Sequence, residues 1–295
     1  MAGKRKAAPA GTPLGTPATA EKSYEVRPGQ SIELLQELHI LTRDGRMNQD
    51  SRRKLKQVYH LFNFIEPLLR EAQAANPEIH LVDHGAGKSY LGFILYDLFF
   101  KAHGGPGSCI WGIETRDELV TRARQLAARL GFAGMRFLNL SVADSITSPE
   151  LPARVDIVTA LHACNTATDD AIRFALAKRA RAIVLVPCCQ AEVAATLRKH
   201  KAAALAGALG EVWRHPIHTR EFGSHLTNVL RCLELQAHGY EVSVTELIGW
   251  EHSLKNELII AVDKQLPTRK PAERLQELLA TFGLQDLRER FTAGA

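Results

Sequence analysis

Leu81-Val82-Asp83-His84-Gly85-Ala86-Gly87-Lys88-Ser89 sets a carboxylate, two glycines, a lysine and a serine directly after an apolar run. Gly85 and Gly87 let a backbone turn tightly and approach a ligand with no Cβ in the way. Several ligands compete for such a loop. Gly87-Lys88-Ser89 matches the end of the phosphate-binding pattern G-x-x-x-x-G-K-[ST], but Val82 stands where that pattern needs its first glycine. Asp83 would also put negative charge beside the phosphates. A dinucleotide loop fails as well, because Tyr90 occupies the third glycine position of G-x-G-x-x-G.

A ligand with positive charge and no phosphate fits better. S-adenosyl-L-methionine (SAM) carries a sulfonium and an ammonium group, so Asp83 favours it. A second acid is then expected at the end of the next strand to take the ribose hydroxyls, and Glu114 closes Cys109-Ile110-Trp111-Gly112-Ile113-Glu114. Asp83, Gly85, Ala86, Gly87 and Glu114 are the expected cofactor residues. Asp144, in Ser141-Val142-Ala143-Asp144, is a candidate for the adenine amine, with a helix cap as the equal alternative. His162 is placed at the edge of the same site.

A second group of residues suits the reacting side. His162-Ala163-Cys164-Asn165 follows an apolar run, and Cys188-Cys189 follows Pro187 at the end of another. His162 could serve as a general base, and Cys188 or Cys189 as a nucleophile. Zinc is disfavoured because adjacent cysteines are awkward tetrahedral ligands and no C-x₂-C pair is present. Buried cysteines that merely shape a pocket remain the first reading. Cys164, Asn165, Glu251, His252, Lys255 and Asn256 are candidate acceptor contacts, the last four from a loop with more polar handles than a turn requires. Arg214, His215, His218, Arg220 and His225 read as a surface insertion between strand and helix, within 215–225.

These residues need a scaffold that brings strand ends together. Apolar runs at 79–83, 109–114, 135–140, 155–161, 182–186, 241–247 and 258–263 predict strands. Helical spacing fills 90–101, 117–130, 168–180, 190–206 and 222–237, with earlier helices at 30–39 and 50–71. Alternation of this kind predicts an α/β fold: a Rossmann-like seven-stranded sheet of five parallel α/β units closed by an antiparallel strand pair, with an N-terminal helical extension. The expected division is a basic Ala/Pro-rich disordered tail over 1–23, a helical segment over 24–75, the sheet domain over 76–265 and a helical extension over 266–295.

Composition adds bounds. The formal charge of +5 permits an anionic partner such as RNA without demanding one, and much of it lies in Lys4, Arg5, Lys6 and Lys22. Arg52, Arg53, Lys54 and Lys56 form a basic helix face, for which solvation is favoured over RNA contact. Five cysteines without disulfide-like spacing, no apolar run of membrane length and no secretory h-region point to a reduced, cytoplasmic protein without a membrane partner.

The chain resembles a family of SAM-dependent methyltransferase-domain proteins. The likeness is carried by Arg53-Lys54-Leu55-Lys56-Gln57-Val58, the Asp83–Ser89 loop, Leu161-His162-Ala163-Cys164-Asn165-Thr166-Ala167-Thr168-Asp169, Pro187-Cys188-Cys189-Gln190 and Glu251-His252-Ser253-Leu254-Lys255-Asn256. It runs from about Asp50 to Asp263 and is similar in outline to eukaryotic methyltransferase-like proteins. More distantly, it is similar to a tRNA ribose methyltransferase family with paired cysteines after the fifth strand. The resemblance implies a class I methyltransferase sheet, SAM as cofactor and a site at Asp83, Gly85, Gly87 and Glu114. Ser89 departs from the family loop, where glycine is usual. The expected acceptor is RNA, tRNA included, with protein and small-molecule acceptors left open. The rival is a non-catalytic RNA-binding or scaffold protein on the same fold.

Overall fold

A computed structural model describes residues 26–161, 166–187, 190–199, 208–247 and 257–292. The tail over 1–23 lies outside them. Two helices come first, α1 (Ile32–Glu37) and α2 (Gln49–Ala75). The sheet strands are β1 (His80–His84), β2 (Cys109–Glu114), β3 (Met135–Asn139), β4 (Ile157–Leu161), β5 (Ala182–Val186), β6 (Tyr240–Glu246) and β7 (Glu257–Asp263). Between and after them lie α3 (Tyr90–Leu95), α4 (Lys101–His103), α5 (Asp117–Arg129), α6 (Val142–Thr147), α7 (Thr166–Ala177), α8 (Glu192–Lys199), α9 (Pro216–Ala237) and α10 (Arg269–Thr281).

The sheet runs β3-β2-β1-β4-β5-β7-β6, with β7 antiparallel to both its neighbours and the other pairs parallel. This is the sheet of a class I methyltransferase. β2 and β5 are buried at every residue, as parallel strands covered on both faces must be. Leu81 of β1 packs with Leu55, Ile65 and Leu69 of α2 and with Phe93 of α3. Val82, one residue on, packs on the other face with Ile172 and Phe174 of α7. The N-terminal helices therefore share a core with the sheet. A third cluster joins Val193 and Leu197 of α8 to Leu226 and Leu230 of α9 and Leu275 and Leu279 of α10.

Strand order reverses at β1, which has β2 on one side and β4 on the other. Ligands of open α/β sheets bind outside the carboxyl ends of the strands at such a point. Asp83 and Thr159 are register partners there.

Two expectations need correction. The 215–225 segment is no loop: α9 begins at Pro216, with His215 as its N-cap. Proline fits the first helical position, where its missing N–H costs nothing, so the helix starts six residues before its apolar stripe becomes obvious. The single helix expected over 90–101 is interrupted by a π-helical turn at Tyr96–Phe100.

Candidate cofactor site

The loop after β1 alternates conformation. Gly85 and Gly87 have φ of 63° and 57°, in the left-handed region where glycine avoids Cβ strain. The Ala86 N–H donates to the Ile113 carbonyl at 3.1 Å, which lays the loop across β2. Gly112 lies beneath: a Cβ there would stand 2.6 Å from the Phe137 ring and 3.4 Å from the Ala86 Cβ. Sequence reasoning passed over Gly112, although a glycine inside an apolar strand signals close approach.

Ser89 is also left-handed, with φ of 53°, and is 1% exposed. Its hydroxyl points at Gly92 of α3, where a Cβ would meet it at 2.6 Å, and finds no hydrogen-bond partner. The side chain therefore faces away from the cavity, which reconciles serine with the family's usual glycine. Ser89→Gly should raise stability by about 1 kcal/mol, by releasing left-handed strain and an unsatisfied hydroxyl. A urea midpoint that falls or stays fixed would contradict this.

Asp83 is 3% exposed. Thr159 Oγ1 donates to its Oδ1 at 2.6 Å, and no cation pairs with it among the described residues. Burial pushes its carboxyl up to about 7, only partly opposed by the Thr159 hydroxyl. Asp83 lines a cavity of about 450 Å³, within the range of small-molecule sites. Gly85, Ala86 and Gly87 form one wall, and Lys54 and Val58 of α2 another. Thr159 and the α2 wall were not anticipated as parts of the site; neither belongs to a local motif.

Glu114 sits at the tip of β2, 7% exposed. It accepts from the Gly87 N–H at 2.9 Å, from the Arg116 guanidinium at 3.0 and 3.1 Å, and from the Thr115 and Arg116 N–H groups. Burial alone would raise its carboxyl. The bonds from Arg116 and Gly87 outweigh that and hold it at about 2. Arg116, missed in the sequence, lies over Glu114 and on the cavity. Its side chain is 59% exposed, so moving it aside for a competing hydroxyl pair costs little.

Asp144 is exposed. Ser141 caps α6 by accepting from the Asp144 N–H at 3.1 Å, and its hydroxyl donates to Asp144 Oδ2 at 2.5 Å. Asp144 does not line the cavity that holds Asp83. His84, beside Asp83, turns to the opposite sheet face and meets the Phe174 ring edge-on at 4.4 Å. Burial pushes it down to about 3, so it stays neutral and serves as packing. Cys109 and Cys232 are free thiols. His162, Cys164, Asn165, Cys188, Cys189, Glu251, His252, Lys255 and Asn256 lie outside the described residues.

Residues 53–196, which take in most of α2, the glycine loop, Glu114, β4 and α7, match the family described as a methyltransferase domain. The match is to a methyltransferase domain and takes in just under half of the chain. The domain is also similar to the glutathione S-transferase C-terminal domain-containing proteins of Mus musculus and Homo sapiens. Each is 27% identical over 150 residues, 51% of this chain and 21% of theirs. The chain thus spans about a fifth of the length of the curated relatives it matches. Among solved structures, it is similar to magnesium protoporphyrin IX methyltransferase from Synechocystis PCC 6803 with bound SAM. The identity is 13% and the TM-score 0.45, covering 81% of this chain and all of that one. The 23S rRNA methyltransferase ErmE is 15% identical with a TM-score of 0.38, over 74% of this chain and 75% of its own. The fold of the methyltransferase domain rests on its strand order and register, not on these likenesses. No described helix is long and apolar enough to cross a membrane.

Proposed function

We propose that this methyltransferase domain binds SAM in the cavity over Asp83 and transfers its methyl group to RNA. One observation carries the cofactor reading: a buried carboxylate with no cationic partner among the described residues, beside a glycine loop, at the point where strand order reverses. Such a group favours a cation without phosphate. Asp83 would hold the ammonium end of the ligand, the Gly85-Ala86-Gly87 backbone would lie against it, and Glu114 would take the ribose hydroxyls once Arg116 moves aside. Asp144, outside the lining of that cavity, is proposed to meet the adenine amine where the ligand extends beyond it. SAM supplies an electrophilic methyl group. What the chain adds is orientation and exclusion of water, with proton removal secondary.

His162 is the proposed base. Cys188 and Cys189 are proposed to shape the pocket, with a nucleophilic role second. Cys164, Asn165, Glu251, His252, Lys255 and Asn256 are the proposed acceptor contacts. RNA as acceptor is supported by basic residues at the mouth of the cavity, Lys54, Lys88 and Arg116, and by the lysines and arginine of the tail. A cytoplasmic location suits such an acceptor. Incubating the full chain with tritiated-methyl SAM and cell extract tests this. Label in RNA is expected; label in protein alone would refute the RNA acceptor, and label in neither would leave a non-catalytic RNA-binding protein.

A further inference from the structure

α9 buries an arginine. Arg231 is 1% exposed, and its Nε donates to Asp169 Oδ1 at 2.5 Å, with the Asp169 side chain only 3% exposed. Arg231 Nη1 donates to Asn228 Oδ1 at 3.3 Å. Gln190 Nε2 donates to Asn228 Oδ1 at 2.6 Å. Asn228 Nδ2 donates to Glu257 Oε2 at 2.7 Å. Arg290, paired with Glu192 at 3.2 Å, adds its charge near Asp169.

The ends of this network are informative. Asp169 lies in the first turn of α7, after β4. Gln190 follows β5, and Glu257 is the first residue of β7. All three sit at the sheet edge that carries Asp83 and Glu114, since β4 and β5 run parallel to β1 and β7 runs against β5. In sequence, Asp169 follows Asn165 by four residues, Gln190 follows Cys189 directly, and Glu257 follows Asn256 directly. One guanidinium and one amide thus tie together the chain beside every segment that supplies a proposed acceptor contact.

A buried ion pair is rarely the most stable filling for its space. Apolar residues of the same volume often do as well or better, and such a pair is best accounted for where it specifies one geometry. Arg suits this role, because its planar fork fixes several acceptors at once. We propose that Arg231 is a positioning residue for methyl transfer, locking the first turn of α7, Gln190 and the start of β7 into one arrangement beside the carboxyl ends of β4 and β5. This rests on the methyltransferase reading above.

The test separates positioning from stability. Arg231→Met with Asp169→Leu removes both charges and refills the space, so the full chain is expected to stay folded. It should bind SAM within about twofold of the parent, while methyl transfer into cell RNA at saturating SAM falls about thirtyfold or more. Arg231→Lys keeps the charge and loses the fork. There the turnover should fall about tenfold with KM for SAM unchanged, which a purely structural loss would not produce. Turnover within about threefold of the parent, in a folded double variant or in Arg231→Lys, would overturn the proposal. Should the double variant fail to fold, Arg231→Lys decides alone. A parent chain that binds SAM but labels nothing would refute the transferase reading itself, and the inference with it.

Discussion

Arg231→Met alone is expected to lower the free energy of unfolding by about 3–5 kcal/mol, the largest loss of any substitution considered for this fold. The methionine fills much of the space. It leaves Asp169, with a side chain 3% exposed, without its cation, and takes one donor from Asn228 Oδ1. Burial already pushes the Asp169 carboxyl up, and Arg231 is the main influence opposing it. Without Arg231 the folded-state pKa rises further above the unfolded value. A group of that sign stabilises the fold only below its unfolded pKa and loses the contribution as pH rises through the folded one. The defect of the variant should therefore shrink in acid and be full at neutral pH. Urea unfolding at two pH values reads both effects. A loss under about 1 kcal/mol at neutral pH would mean that the pair is not desolvated as described.

SAM binding should be coupled to a proton through Asp83. Its carboxyl is held at about 7 by burial, so near pH 6 it is mostly protonated in the empty cavity. A bound cation favours the charged form and pulls that value down. Near pH 6 Asp83 must then release close to one proton on binding, and well above 7 almost none. Affinity should weaken about tenfold from pH 8 to pH 6, in addition to any titration of the ligand itself. Asp83→Asn keeps the shape and cannot ionise, so it should bind SAM at least about a hundredfold more weakly and lose the coupling. Glu114 cannot supply this effect, since it is held at about 2 and stays charged throughout.

Parallel strands buried on both faces are continuous apolar runs, so 109–114 and 182–186 were readable to the residue. The left-handed glycines Gly85 and Gly87 and the strand-end positions of Asp83 and Glu114 are legible because local order along the chain fixes them. Thr159 was not: it reaches Asp83 through strand register between β1 and β4, a relation between residues far apart in sequence. Arg116 looked like an ordinary residue before a helix, yet it covers Glu114. The α9 start was missed because histidines and arginines mask the helical stripe, although Pro216 at its first position was available as a signal. Arg231 was invisible, since an arginine in an amphipathic helix is normally solvated and only the packed structure shows it buried.

Calorimetric titration of SAM into the intact chain, repeated at pH 6 in two buffers of different ionisation enthalpy, addresses the central claim most directly. The expected result is one-site binding with a heat that differs between buffers by close to one proton per ligand, a difference that vanishes in Asp83→Asn. Absence of binding at millimolar SAM, or a heat independent of buffer at pH 6, would contradict a cofactor site built on Asp83.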